Sequence, residues 1–461
     1  MLPEPARDQP LSSLSAEQPL TQTQIWRYAS VGLVTASASL PLYLLVPHLY
    51  AQTFGASLAA VGLILMAVRL LDAWTDPWFG RLIDRTEGAR FQVWIRPALV
   101  VLVIGFVALF LPPAGLLSDT ALLIYLAISA SLISLANGIV TVAHQSWPVR
   151  WKPAAHQLPD QVRLVSAREW LTLVGVIVSA ALAAGNQRVA LSIILIGAAG
   201  LSFWLVGGLP GQGSDDQPAS VGQAPARPVS PPSLAPPERL ASLNQANPMN
   251  PHMVRLLTML TVNALASAIP ATLFLFFVSD YFLASRTTAS MLLLTYFVSA
   301  LVGIALWQRP LARLGPHCIM TTAMVMGCLS FVWVLLLAHD GLIGFAIVCV
   351  LTGLALGAEL ICPALLIGQG LQATPQSLGS NQSATIFGRW QLLAKCSLAA
   401  AAGLCLPGLA LLGYQPGTSE GLQGLLWVYA GLPCLLKLVA IGLQSKIPTT
   451  PLPQTAEEPL Q

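Results

Sequence analysis

The stretch Arg69-Leu70-Leu71-Asp72-Ala73-Trp74-Thr75-Asp76-Pro77-Trp78-Phe79-Gly80-Arg81-Leu82-Ile83-Asp84-Arg85 decides how this chain is read. It continues from the apolar run 59–68, where charge is not expected. Helical spacing places Arg69, Asp72 and Asp76 on one face. A charged side chain near the middle of a bilayer costs roughly 2.5–3.5 kcal/mol on insertion scales, so three together need a reason. A site for an ion, a proton or a polar solute supplies one. An Arg–Asp pair that only holds helices together accounts for one aspartate and leaves the second unpaired.

Composition sets the same frame. Of 461 residues, 55% are hydrophobic and only 9% are charged, and the mean hydropathy is +0.71. A soluble domain carries about a quarter charged residues, so the chain reads as an all-α, polytopic membrane protein. A net charge of +3 gives no reason to expect a nucleic-acid partner. Residues 1–25 are polar and lack the basic and apolar regions of a signal peptide, so the first apolar run is expected to remain as a span. All seven cysteines lie in the second half without a CxxC pair, which favours packing over metal or disulfide roles.

Twelve runs are long enough to cross a bilayer. Six fall near 26–50, 57–83, 93–113, 119–147, 164–185 and 188–210. Six more fall near 253–283, 288–308, 317–338, 341–370, 381–412 and 422–444. Residues 211–251 between them are rich in Pro, Gly, Ser and Ala and read as a disordered linker. The expected organisation is therefore a tail (1–25), a six-helix bundle (26–210), the linker (211–251), a second six-helix bundle (252–445) and a second tail (446–461). Two bundles around a central cavity are the outline of a transporter.

The basic residues orient it. With the N-terminus inside, the inner segments hold Arg7, Arg27, Arg81, Arg85, Arg90, Arg96, Arg150, Lys152, Arg163, Arg227, Arg239, Arg309, Arg313 and Lys446. The outer loops hold only Arg188 and Arg286. Both termini are expected in the cytoplasm, with the chain in a plasma membrane such as a bacterial inner membrane.

Gly80, Asp84 and Arg85 follow the second span in the order G-x-x-x-D-R. This resembles a loop signature of the major facilitator superfamily and implies a cytoplasmic gate. Gly80 permits close helix approach, and Asp84 is suited to accept hydrogen bonds from a neighbouring helix end. The longer string R-x-x-D-A-x-x-D-P-x-x-G, met by Arg69, Asp72, Ala73, Asp76, Pro77 and Gly80, is more specific. It resembles the glycoside–pentoside–hexuronide:cation symporter (melibiose permease-like) family of that superfamily. The resemblance implies the major facilitator fold of twelve transmembrane helices, and it implies that Asp72 and Asp76 bind the coupling cation. Hard oxygen ligands suit Na+ or Li+, and the same groups carry H+.

Lys395, within the eleventh run and followed by Gly413-Tyr414, is a second match; the resemblance implies that it faces the cation site from the other bundle. Residue chemistry agrees, because an intramembrane lysine needs a carboxylate partner. Arg168 is a third match, and the resemblance implies a sugar contact, with Glu169 beside it as a departure. Where the family has sugar-binding acids, this chain has Ala36 and Thr141, and Gly368-Gln369 replaces an Ala-Asp pair. The cation half of the pattern is kept and the galactoside half is not. His144, Gln145 and Trp147 are candidate pocket residues in compensation, the alternative being residues near the membrane surface. Glu359 either pairs with Arg389 or touches substrate, and Asp280 is read as an acid at the outer edge.

No phosphate-binding loop, HExxH or GxSxG appears, so neither ATP-driven transport nor a familiar hydrolase is expected. The sequence reads as a cation-coupled symporter of a small polar solute, a sugar or glycoside, with no cofactor beyond the coupling ion. Its expected partners are that solute, the cation and the lipid bilayer, with no obligatory protein partner. Three readings stand beside it: a carrier of a lysolipid or other amphipathic solute, a proton-driven exporter, and an intramembrane enzyme using Asp72 and Asp76 as an acid–base pair.

Overall fold

The computed structural model describes residues 20–86, 91–113, 118–151, 157–184, 187–209, 249–339, 341–372 and 382–447. Both tails, up to residue 19 and from residue 448, and the linker from 210 to 248 lie outside the described residues.

Among the described residues all regular structure is helical. The first half contains α1 (Gln22–Leu44), α2 (Leu58–Asp84), α3 (Phe91–Phe110), α4 (Asp119–Arg150), α5 (Leu158–Ala184) and α6 (Arg188–Gly207). Local chemistry sets the starts. Thr21 and Gln24 form a reciprocal capping box at α1, and Ser57 and Ser118 cap α2 and α4.

The second half opens with α7 (Pro251–Tyr281), whose first residue, Pro251, needs no helical N–H and follows an Asn250 cap. The runs expected at 288–308 and 317–338 form two helices that meet directly at a kink within Arg286–Leu336. Gly315 interrupts it with φ 79° and ψ 161°, a conformation glycine tolerates and one that the following Pro316 favours by excluding the helical region. Its arms are α8 (286–314) and α9 (316–336). Then come α10 (Leu342–Gln372), α11 (Ser383–Leu411) and α12 (Leu422–Gln444).

Ten helices among the described residues are long and apolar enough to cross a membrane, Arg286–Leu336 counting once. With its two arms taken separately, and with the more polar α1, the helices match the twelve expected spans. Several helices outrun the apolar runs. In particular, α5 begins at Leu158 rather than near 164, because the polar turn around Asp160 and Gln161 is also helical and buried.

The core is organised by halves. One apolar cluster draws on α1 to α6, joined only by Ala384 of α11. A second lies in the other half but includes Val162, Val165 and Leu173 of α5. The halves therefore meet where α11 lies on α2 and where α5 lies on the second half. Glycines make the first meeting close. A Cβ on Gly80 would collide with the backbone of Ala384 and Thr385, and one on Gly388 would collide with the backbone of Asp76 and Pro77.

Candidate functional site

That close crossing places the charged face of α2 against α11. The Lys395 ammonium lies 2.7 Å from Asp72 Oδ2 and 2.6 Å from Asp76 Oδ2. The Asp76 side chain is only 1% exposed and that of Lys395 is 25% exposed, so the lysine is the member of the trio nearer open space. Arg69, one turn earlier on α2, adds a second positive charge felt by Asp72. The structure thus brings together Arg69, Asp72, Asp76 and Lys395. Here the halves are bridged by an ammonium shared by two carboxylates.

The other oxygen of each carboxylate is informative. Asp72 Oδ1 and Asp76 Oδ1 are buried without a hydrogen-bond partner. Both turn toward Gly138 of α4, where a Cβ would stand 2.8 Å from Asp76 Oδ1 and 3.6 Å from Asp72 Oδ1. Any side chain at 138 would fill that space. The neighbouring Asn137 also has a buried Oδ1 with no partner. Sequence reading missed Gly138 and Asn137. An uncharged Asn-Gly pair inside an apolar helix was the available signal, since each weakens a helix interior without cause.

At the end where α2 and α4 finish and α11 begins, Asp84 ties the halves together. Its Oδ1 accepts from Ala384 N at 3.0 Å, and its Oδ2 accepts from Thr385 N at 2.7 Å and Thr385 Oγ1 at 2.6 Å. Arg150 pairs with the same carboxylate, and its Nε donates to Ser383 Oγ at 2.7 Å. A carboxylate on the first turn of a helix satisfies N–H groups that have no partner within the helix and opposes the positive end of its dipole. Gly80, Asp84 and the start of α11 form one closed contact.

The proposed substrate residues separate. Gln145 lies between the halves, its Oε1 accepting from Gln391 Nε2 at 2.7 Å. Arg168, His144 and Trp147 are 3%, 2% and 2% exposed, inside the first half. Arg168 donates through Nε and Nη2 to Glu169 Oε1 at 2.9 and 2.6 Å and lies 3.3 Å from Tyr28 Oη. His144 Nε2 meets Tyr28 O at 2.9 Å, and Trp147 stacks on Phe91. In this conformation none of the three reaches the space between the halves. Burial does not fit the alternatives to a substrate role, an edge charge for Arg168 and a surface position for His144 and Trp147: the early start of α5 and the length of α4 carry them into the core.

Residues 27–202 and 235–450 match the family described as MFS/sugar transport protein. The chain belongs to that family. As a member of the MFS/sugar transport family it is a multi-pass membrane transporter. Over 109 residues it is 33% identical to the uncharacterized symporter YnaJ of Bacillus subtilis (strain 168), a stretch that spans 23% of this chain and 23% of that protein. The fold is similar to that of a bacterial homologue of the iron transporter ferroportin in its outward-facing state (TM-score 0.66, 14% identity, 92% of this chain and 100% of that one). It is also similar to the E. coli fucose:proton symporter FucP (TM-score 0.63, 14% identity, 92% and 98%). The proton:xylose symporter XylE is a further likeness (TM-score 0.60, 13% identity, 92% and 94%).

This MFS/sugar transport family member carries a second buried charge group, in its C-terminal half. Glu359 of α10 pairs with Lys437 of α12, not with Arg389, whose Nη1 meets Met249 Sδ. Ser267 Oγ donates to Glu359 Oε2 at 2.8 Å, and Lys437 Nζ donates to Asn263 Oδ1 at 3.1 Å. Asp280 is likewise tied, accepting from Tyr414 Oη and from Gly417 N at 3.0 Å. Lys437 escaped the sequence reading although it is the lone charge in its span. Removing one partner of a buried pair costs about 3–5 kcal/mol, because a charge is left unpaired. Lys437→Met is therefore expected to lower the melting temperature in detergent, and adding Glu359→Gln to restore most of it. Equal melting of single and double variants would refute the pairing.

Proposed function

We propose that this transporter is a cation-coupled symporter of a small polar solute, a sugar or glycoside, working by alternating access in the plasma membrane with both termini cytoplasmic. The observation that carries the proposal is the Lys395 ammonium held between Asp72 and Asp76, since the lysine belongs to one half and the aspartates to the other. With both aspartates ionised, Arg69, Lys395, Asp72 and Asp76 sum to zero. Entry of a monovalent cation leaves the group one charge positive, so Lys395 loosens its hold and the contact between the halves changes with ion occupancy.

The uncovered Asp72 Oδ1 and Asp76 Oδ1 beside Gly138 fit such a cation or a proton. Among the described residues no cluster of three His, Cys, Asp or Glu side chains forms. A divalent hard cation takes about six to eight oxygens, so the two-carboxylate group favours a monovalent ion. The sugar class is supported by the family and by the sugar symporters of the same fold. With the basic ends inside, the Asp84 contact closes the cytoplasmic side.

The test is uptake of labelled mono- and disaccharides into proteoliposomes under an imposed sodium or proton gradient. At least one sugar is expected to accumulate above equilibrium with one gradient and to leak out when an ionophore dissipates it. Equilibration regardless of either gradient would refute coupling. Accumulation of lysolipids alone would reassign the cargo.

A further inference from the structure

Away from the site, two arginines of the first half have no acidic partner among the described residues. Arg27 lies in the second turn of α1 and Arg96 in the second turn of α3, and both reach the C-terminal end of α6. Arg27 Nη1 donates to Gly208 O at 3.0 Å. The Arg96 guanidinium sits 4.1 Å from the centre of the Phe203 ring. Its Cζ would lie 3.4 Å from a Cβ on Gly207, and that of Arg27 would lie 3.5 Å from a Cβ on Gly208. The two cations therefore stand beside consecutive residues. Gln92 joins them, its Nε2 donating to Leu209 O at 2.8 Å.

Capping the last carbonyls of α6 and opposing its dipole explains part of this. It does not use the donors. A guanidinium has five N–H groups; Arg27 spends one on the protein and Arg96 none. The Nε of each is buried without a partner. Among the described residues neither arginine takes part in an ion pair.

The surroundings say what the donors face. Trp204, one turn before Gly208, is 74% exposed, and Trp26, next to Arg27, is 49% exposed. Exposed tryptophans on a membrane protein mark the headgroup level. Below them, Ile193, Gly197, Gly200 and Trp204 recur at helical spacing on α6, and all four are exposed. A Cβ at Gly197 or Gly200 would meet nothing within 4 Å. The stripe is a shallow apolar channel on the lipid-facing side, running up to the arginines.

We infer that Arg27 and Arg96, beside the end of α6, bind a phosphate oxyanion, supplied by the headgroup of an anionic phospholipid whose acyl chain lies along the Gly197–Gly200 channel. Guanidinium forks match phosphate oxygens bidentately. Basic pockets between helix ends suit such headgroups. The channel is what distinguishes a lipid from free phosphate.

Native mass spectrometry of the full chain in detergent tests this. Wild type is titrated with phosphatidylglycerol, phosphatidylcholine and inorganic phosphate. Arg27→Gln/Arg96→Gln is expected to weaken phosphatidylglycerol retention about ten-fold and leave phosphatidylcholine unchanged. Gly200→Leu, which adds a side chain into open space, should weaken phosphatidylglycerol without touching a charge. Arg313→Gln, at an exposed position in the other half, should stay within two-fold of wild type, roughly what a surface charge contributes. Equal phosphatidylglycerol retention by wild type and both test variants overturns the site. Displacement of the lipid by inorganic phosphate at millimolar concentration, with Gly200→Leu unaffected, overturns the lipid assignment. If the double variant does not fold, Arg96→Gln with Gly200→Leu carries the same comparison.

Discussion

Asp76→Asn is expected to abolish accumulation driven by an ion gradient, lowering it by about 100-fold or more, while the protein still inserts and folds. The size follows from the geometry. Asp76 is 1% exposed and takes half of the Lys395 ammonium. Breaking a buried pair of this kind costs roughly 3–5 kcal/mol, and each 1.4 kcal/mol is about ten-fold in an equilibrium. The amide keeps the shape, so packing of Gly388 on the Asp76 backbone is retained. It removes one of the two charges that hold Lys395 and that are proposed to hold an incoming cation.

Substrate exchange without a gradient should fall much less, because the variant loses coupling rather than the pathway. Lys395→Ala should also lose coupling, for the opposite reason: two buried carboxylates are left without their shared cation. The measurement is uptake and counterflow in proteoliposomes across a sodium titration and, separately, from about pH 5 to pH 8, a span that brackets neutral pH. Normal ion-dependent accumulation in both variants would return the aspartates to a purely structural role.

These expectations rest on the part of the chain that was legible from sequence. Asp72, Asp76 and Lys395 declare themselves because a charge in an apolar run is costly, so each must have a use. Their mutual contact follows almost from that cost alone. Gly138 and Asn137 were not legible, because neither carries charge and their importance depends on which α2 oxygens turn toward them. The setting of Arg168 was not legible for a different reason. Its partner Glu169 is adjacent in sequence, and whether such a pair faces a cavity or a core depends on where α5 begins. The polar turn around Asp160 hides that start from a hydropathy reading. The division between α8 and α9 was legible, since Gly315-Pro316 reads as a break and acts as a corner.

The Asp84 contact should behave as a latch, and its removal is the second large effect expected. Three donors from the first turn of α11 and the Arg150 guanidinium converge on one carboxylate. Asp84→Asn leaves a neutral group whose NH2 faces other donors, and it strands Arg150, itself largely buried. Asparagine keeps one acceptor oxygen, so at least one of Ala384 N and Thr385 N loses its acceptor, which no intrahelical carbonyl replaces at a helix start. Hydrogen exchange of the peptide 382–388 is expected to rise about ten-fold or more, since opening is no longer opposed by a buried ion pair. Transport should fall by a similar factor, because the proposed alternating-access cycle includes a conformation closed at this end. Asp84→Glu should not rescue it: the extra methylene has no room where Gly80 already touches the backbone of Ala384 and Thr385. A protected 382–388 peptide together with wild-type transport in Asp84→Asn would show that glycine packing alone closes this end, with the carboxylate an accessory to it.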